Sequence, residues 1–469
     1  MLEAIERQGV WWQPDKPANK VGGRMVFHRN AGVSLDLIGS LEISGGRSDT
    51  LFGLSTDSEE ITLCNCIETS SKESFATSRE KDKTLRSKTS RILAQMAIIG
   101  GHFEREQDIL FQKVRVSYTH LDDWANTSGL RTEHLDGESH VIFKMPEPVP
   151  SVLDENWTIV LSFGADEKYS QNSHSIEQHA FVLVESKHIE QFQKFREFVV
   201  RLQGLFTLLI SEPVFPTGVE GFIPVTASEE GKPQPDRPVK IYYPSSLSDI
   251  SPERIHWFQM LTSLSEIKVQ FSDLVKNWCN RYESINPILS LYFGTLYNPY
   301  LYIENRFLSL VQSVESYHRL TMRNYVIEED EHEARITEIL NSIDPKYQGW
   351  LKYKLTWSNE PDLSSRLKEV FDKYLDDAGD FLNYGNNAAE KIVQTRNYLT
   401  HFNPKLKEKS ASRLELLYLT QILKKTLEVA LLTELGFTIK EAKKRTRKGR
   451  DYRNLLSYKS QLVHEAGSR

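Results

Sequence analysis

NAAEKIVQTRNYLTHFNP, residues Asn387 to Pro404, reads as one amphipathic helix followed by its stop signal. Ile392, Arg396 and Leu399 recur at i, i+4 and i+7, and Pro404 disfavours helical geometry at Asn403, so the helix must end by about Phe402. Arg396 therefore takes a place where the pattern asks for a hydrophobe. A guanidinium there needs acceptors: an internal carboxylate, a second subunit or a phosphate. Asn397 and His401 lie one turn apart on a neighbouring face.

The same helical period extends outward through the second half of the chain. Phe271, Leu274, Val275 and Trp278 follow it, as do Ile336, Ile339, Leu340 and Ile343, and Leu367, Val370, Phe371 and Tyr374. Ser251 and Pro252 have the chemistry of an N-cap and a first helical residue. The last long helix, about Ser412 to Leu435, is apolar on more than one side and stops at Gly436; it is either central to a bundle or shared with a second subunit.

Before about residue 245 the period is two. Val33, Leu35 and Leu37 alternate with Ser34 and Asp36, and strand-like runs follow at 61–66, 114–118, 158–163, 181–184 and 239–243. Turn-forming residues separate them, which predicts an antiparallel sheet or sandwich with one long helix between about Glu190 and Ile210. Three prolines make Gly231 to Pro238 a loop. The expected fold is multidomain α+β: a β-rich half over 1–245, a helical connection over 246–300, a helical bundle over 301–440 and a basic tail over 441–469.

Composition excludes several classes. Hydrophobic residues are 39% and charged residues 26% of the 469 positions, ordinary for a globular protein. No apolar run reaches the length of a membrane helix, since Arg201 and Gln203 interrupt the best candidate. Three cysteines make no disulfide framework, so a cytoplasmic location is expected. A net charge of −6 leaves only a local patch for nucleic acid, and Lys443, Lys444, Arg445, Arg447 and Lys448 supply one.

A second helical run suggests a partner for Arg396. In Phe307 to Leu320 the stripe Phe307, Leu308 and Val311 continues onto Glu315, a carboxylate on a core-facing line. Glu315 is expected to meet Arg396, Asn397 and His401 and orient them; the alternative is a surface network at i, i+4. Such a set can cleave RNA without metal. The 2′-hydroxyl attacks phosphorus and a cyclic phosphate results; an imidazole moves protons near neutral pH, and a forked cation steadies the phosphate. Asn397 holds either group by hydrogen bonds. Another copy or a water must perform the proton transfer that one imidazole cannot.

RNYLTH at 396–401, preceded by FLSLVQSVESYHRL, resembles the HEPN (higher eukaryotes and prokaryotes nucleotide-binding) superfamily, whose ribonucleases carry Arg, four to six residues, then His. GVWWQPDKPANKVGGRMVF, GVSLDLIG and VRVSYTHLDDWANTSGL in the first half are similar to the ApeA family of bacterial anti-phage proteins. The resemblance implies an abortive-infection effector that cuts cellular or phage RNA, tRNA among the candidates, as a homodimer answering a phage-derived trigger, with neither metal nor cofactor. The competing readings are an inert HEPN dimer that binds a phage component and a nucleotide-binding regulator.

Other constellations carry less. Cys64 and Cys66 lack a second pair for zinc and read as strand residues. Asp122, Asp123 and Trp124 read as a helix start anchored by its Trp, and Trp11 and Trp12 as core. Arg323-Asn324-Tyr325 imitates the motif, but it leads into an acidic run, EEDEHE, that reads as a loop and would repel RNA.

Overall fold

Alternation in the first half does more than make a sheet, because the sheet closes. The structure is a computed structural model that describes residues 5–77, 84–224, 236–244, 253–375 and 387–467. Strands β1 (Ile5–Trp12), β2 (Val21–His28), β3 (Gly32–Ile38), β4 (Arg47–Ser55), β5 (Glu60–Thr77) and β6 (Thr84–Ile99) pair antiparallel in the order β6-β3-β2-β1-β4-β5. β5 then pairs with β6, which completes a six-stranded barrel. Val33, Leu35 and Leu37 share its buried cluster with Trp11, Met25, Leu63 and Ile92. Gly53 pairs with Trp11, and a Cβ there would stand 2.3 Å from the indole, so that position admits only glycine without repacking.

β6 also carries pairing into a second, open sheet. Its Ala97, Ile98 and Ile99 pair with β14 (Arg237–Tyr242). From there the order runs through β13 (Pro216–Ile223), β7 (Leu110–Tyr118), β12 (Ser173–Gln191) and β11 (Trp157–Ser170) to β10 (Val149–Val152). The strands expected from alternation all fall in β3, β5, β7, β11, β12 and β14. The expected antiparallel sheet is present; its partial closure into a barrel lay beyond the sequence, since alternation along a strand does not say which strand lies beside it. The expected loop at Gly231 to Pro238 needs amending: residues 231–235 lie outside the described residues, and Arg237 and Pro238 already belong to β14. Ser251 and Pro252 lie outside them too.

Two helices seal this half. α1 (Leu121–Ala125) buries Trp124 against Phe206 and Phe271, while Asp122 accepts from the Ala180 N–H and Asp123 pairs with Arg254 at 2.8 Å. The acidic pair thus opens a helix that its Trp anchors, as expected. α2 (Phe192–Ile210) sets Phe195 and Phe198 on Trp157, with ring centroids 5.1 and 4.7 Å apart.

The chain divides into two compact units, 1–206 with 214–257 and 263–276, and 207–213 with 258–262 and 277–469. The last strand ends at Tyr242, close to the change of period near 245, while the division into compact units falls after residue 276. The cause is visible in the contacts: Arg254 and Phe271 both serve α1 of the first unit.

In the second unit α5 (Ile303–Thr321), α8 (Leu363–Tyr374), α9 (Asn387–His401) and α11 (Arg413–Leu435) make the bundle. α5 packs against α8, α9 and α11. α11 starts at a Ser412/Glu415 capping box and ends at Gly436, whose φ of 112° suits glycine. It is buried along nearly its whole length by its own chain, so its apolar surface is not a subunit interface. The acidic run expected to be a loop opens α6 (Glu329–Asn341) instead, with Glu329, Asp330 and Glu331 in the first turn, where a helix favours negative charge. α6 is followed by α7 (Pro345–Lys354), and α9 by the single turn α10 (Pro404–Lys407). The expected basic tail is two further helices, α12 (Ile439–Thr446) and α13 (Arg450–Gly467), both packed on α11.

Candidate active site

α9 presents its motif on a half-buried flank. Ala389, Ile392 and Thr395 face inward at i, i+3 and i+6, while Arg396, Asn397 and Leu399 are half-buried. Arg396 is thus at the edge of the core rather than on its stripe; Thr395 takes the interior place. The Thr395 hydroxyl donates to the Lys391 carbonyl at 2.7 Å and accepts from the Ala411 N–H at 2.9 Å, which ties α9 to the turn before α11.

Arg396 Nη1 donates to Asn397 Oδ1 at 3.0 Å, so the amide limits where the guanidinium points. His401 is the last helical residue and is exposed. Phe402 leaves the helix at φ 50°, with its N–H on the Tyr398 carbonyl at 2.7 Å, and Asn403 caps α10 by accepting from the Lys405 N–H. The imidazole therefore stands open to solvent at the end of a braced helix, with a cation about one turn behind it.

Glu315 is not where the stripe argument put it. α5 buries Phe307, Leu310, Val311, Val314, Tyr317 and His318, and Glu315 flanks that face, paired with Arg319 at 3.3 Å. Among the described residues it makes no hydrogen bond to α9. The i, i+4 network is the arrangement observed.

A larger network lies beyond Arg319, and the sequence reading missed it. Arg319 pairs with Glu360 at 2.6 Å, and Glu360 accepts from Arg366 Nη2 at 2.8 Å. Arg366, only 1% exposed, also reaches the Pro361 carbonyl, Asn324 Oδ1 and His318 Nδ1. A guanidinium has donors only, so His318 Nδ1 accepts and Nε2 carries the proton, donated to Glu369 at 2.8 Å. Burial, with the nearby Arg319 charge, lowers the Arg366 pKa from its ordinary value. The sole local signal was His318 itself, three residues after Glu315; its partners Arg366 and Glu369 arrive from 48 and 51 residues away.

α11 holds a second buried charge centre. Glu428, fully buried, accepts from Ser211 at 2.6 Å, Lys425 at 2.7 Å and Tyr292 at 3.1 Å, and Lys424 bridges it to Asp451. Burial alone would raise the Glu428 pKa, but Lys425 and Lys424 outweigh it and the net shift is downward.

The basic cluster is partly committed to the fold. Lys443 donates to the Leu375 carbonyl at 2.8 Å; Arg445 donates to Thr262 at 2.7 Å and lies 4.6 Å over the Phe437 ring. Lys444 and Arg447 are exposed and Lys448 is half-buried. Cys64 and Cys66 are buried in β5, and burial pushes both thiols up, that of Cys64 to about 12. No helix among the described residues is long and apolar enough to cross a membrane.

Two family models match the chain: ApeA N-terminal domain 1 over residues 6–278, and Apea-like HEPN over 308–441. The first ends close to the division after residue 276; the second contains the motif of α9. No curated protein and no solved structure matches.

Proposed function

Since the chain belongs to the ApeA family and joins an ApeA N-terminal domain to an Apea-like HEPN domain, a pairing that fits anti-phage defence, we propose that it is a metal-independent endoribonuclease whose cutting of cellular or phage RNA, tRNA among the candidates, aborts infection. The observation that carries this reading is the arrangement of Arg396, Asn397 and His401: a braced cation beside an exposed imidazole on one helix.

In the reaction the ribose 2′-hydroxyl attacks the adjacent phosphorus, the bond to the 5′-oxygen breaks, and the products are a 2′,3′-cyclic phosphate and a free 5′-hydroxyl. His401 takes the 2′ proton or delivers one to the leaving oxygen, and Arg396 neutralises the charge gathering on the phosphate oxygens. Asn397 keeps the guanidinium aimed. Water or His401 of a second copy performs the remaining proton transfer. A dimer that brings two motifs together must use a surface other than α11.

The test sequences RNA ends in phage-challenged cells carrying wild type, Arg396→Ala or His401→Ala. Cyclic-phosphate ends should accumulate with wild type, persist in chelator-treated extracts, and vanish with either variant. Folded variants that protect as well as wild type would sink the reading.

A further inference from the structure

We propose that the outer face of α7 is a stacking platform for single-stranded RNA. Residues 327–359 leave the bundle as a two-helix arm. Its neck is closed by Asn359, whose carbonyl accepts from the Val326 N–H at 2.8 Å and whose side chain bonds both N–H and C=O of Ile327. The arm packs on itself: Gln348, Leu351 and Leu355 are half-buried, and Gln348 donates to the Leu340 carbonyl of α6 at 2.9 Å.

That inner face leaves the large rings outside. Tyr347, Trp350, Tyr353 and Trp357 are 53%, 62%, 76% and 72% exposed. Trp350, Tyr353 and Trp357 recur at i, i+3 and i+7, so they share one flank of α7 and the turn that continues it. Four exposed rings within eleven residues are an uncommon cost for a soluble surface, and each offers a flat face to a base.

Charge selects the polymer. Lys352 and Lys354 are exposed and, among the described residues, have no carboxylate partner, and α7 contains no acidic residue. α6 gathers the acids, including Glu329, Asp330 and Glu331. Phosphates are therefore drawn to the α7 side of the arm and repelled from the α6 side. A duplex keeps its bases stacked inside, out of reach of such rings, so the strand must be single. The neck leads directly to Glu360, which pairs with Arg319 and Arg366 on helices of the bundle, so the platform is carried on a fixed base. The choice of RNA over DNA rests on the ribonuclease reading; the platform itself does not.

The experiment measures anisotropy of a fluorescein-labelled twelve-nucleotide oligouridylate bound to full-length protein in a His401→Ala background. Replacing Trp350 and Trp357 together by Ala should weaken binding about tenfold or more, and replacing both by Phe should restore most of it. Lys352→Glu with Lys354→Glu should weaken binding and flatten its salt dependence, which serves as the second route should the Ala pair fail to fold. A wild type that ignores the oligomer, or an Ala pair that binds it equally, overturns the platform. A change in molecular mass on ring removal with RNA binding intact also overturns it, in favour of contact with a second copy. Ring-dependent binding by a protein that never cuts RNA would keep the platform and remove the nuclease; cutting by a protein whose binding ignores the rings would do the reverse.

Discussion

Arg366 donates to Nδ1 of His318 across 3.1 Å, and that single bond fixes which imidazole nitrogen holds the proton offered to Glu369. The pair joins α5 to α8 inside the bundle, with Glu360 neutralising the guanidinium.

Arg366→Ala should therefore cost about 3 kcal/mol or more in urea unfolding, because it leaves His318, Asn324 and the Pro361 carbonyl without their buried donor and Glu360 with Arg319 alone. Arg366→Lys should recover little of this, since one ammonium cannot reproduce a fork that serves four acceptors. Recovery of full stability by lysine would show the geometry to be incidental.

Asn397 and Glu315 should separate in opposite ways. Asn397→Ala frees the Arg396 side chain and is expected to lower RNA cleavage by about tenfold to a hundredfold with melting nearly unchanged. Glu315→Gln removes only a half-exposed i, i+4 pair, so stability should move by less than about 1 kcal/mol and cleavage by no more than a few-fold. A collapse of cleavage in Glu315→Gln would return that carboxylate to the site.

Thr395→Val keeps the shape of the side chain and removes the acceptor of the Ala411 N–H. The expected loss is about 1–3 kcal/mol, read by thermal or urea unfolding, with faster hydrogen exchange at Ala411. An unchanged exchange rate at Ala411 would mean that another group satisfies it.

The charges along α11 predict an acid limit to stability. Glu428 and Asp451 both have pKa values below their ordinary ones: burial opposes this in each, but Lys425 and Lys424 prevail at Glu428, and Lys424 prevails at Asp451. A depressed carboxylate stabilises the fold above its unfolded pKa, and that contribution disappears as pH falls through the folded value. Glu212 shifts upward through burial and works the other way, favouring the fold only where it is protonated. Stability should thus fall on acidification below about pH 4, the ordinary range of these carboxyls. In Glu428→Gln it should already be lower at neutral pH by about 3–5 kcal/mol, with a shallower acid slope. A slope equal to wild type would locate the acid-sensitive groups elsewhere.

Much of the fold was legible because it depends on period. The β3 strand, the α2 and α11 helices and the stop at Pro404 all follow from spacing and from caps within a few residues. What stayed hidden depends on contacts between distant positions. No local pattern tells β1 to lie beside β4 or β3 beside β6, nor sends Arg254 and Phe271 back to the first unit. The acidic start of α6 looks like a loop in sequence, yet its charges suit the positive end of a helix dipole. At the site, Arg396, Asn397 and His401 were readable as a local motif. Glu315 lies on the rim because the buried face continues from Val311 through Val314, and one residue's step is enough to leave the core; the buried hydroxyl of Thr395 looks no different in sequence from an exposed one.

Barrel closure also decides where this chain can stick to itself. At one end of the strand order β5 pairs back onto β6, so β10 is the terminal strand of the twelve among the described residues. That strand is four residues long, contains Pro150, and follows Pro146 and Pro148. A short border with few N–H groups to offer gives an incoming strand little to zip onto. The terminal strand of the large sheet is thereby a poor template for amyloid-like growth.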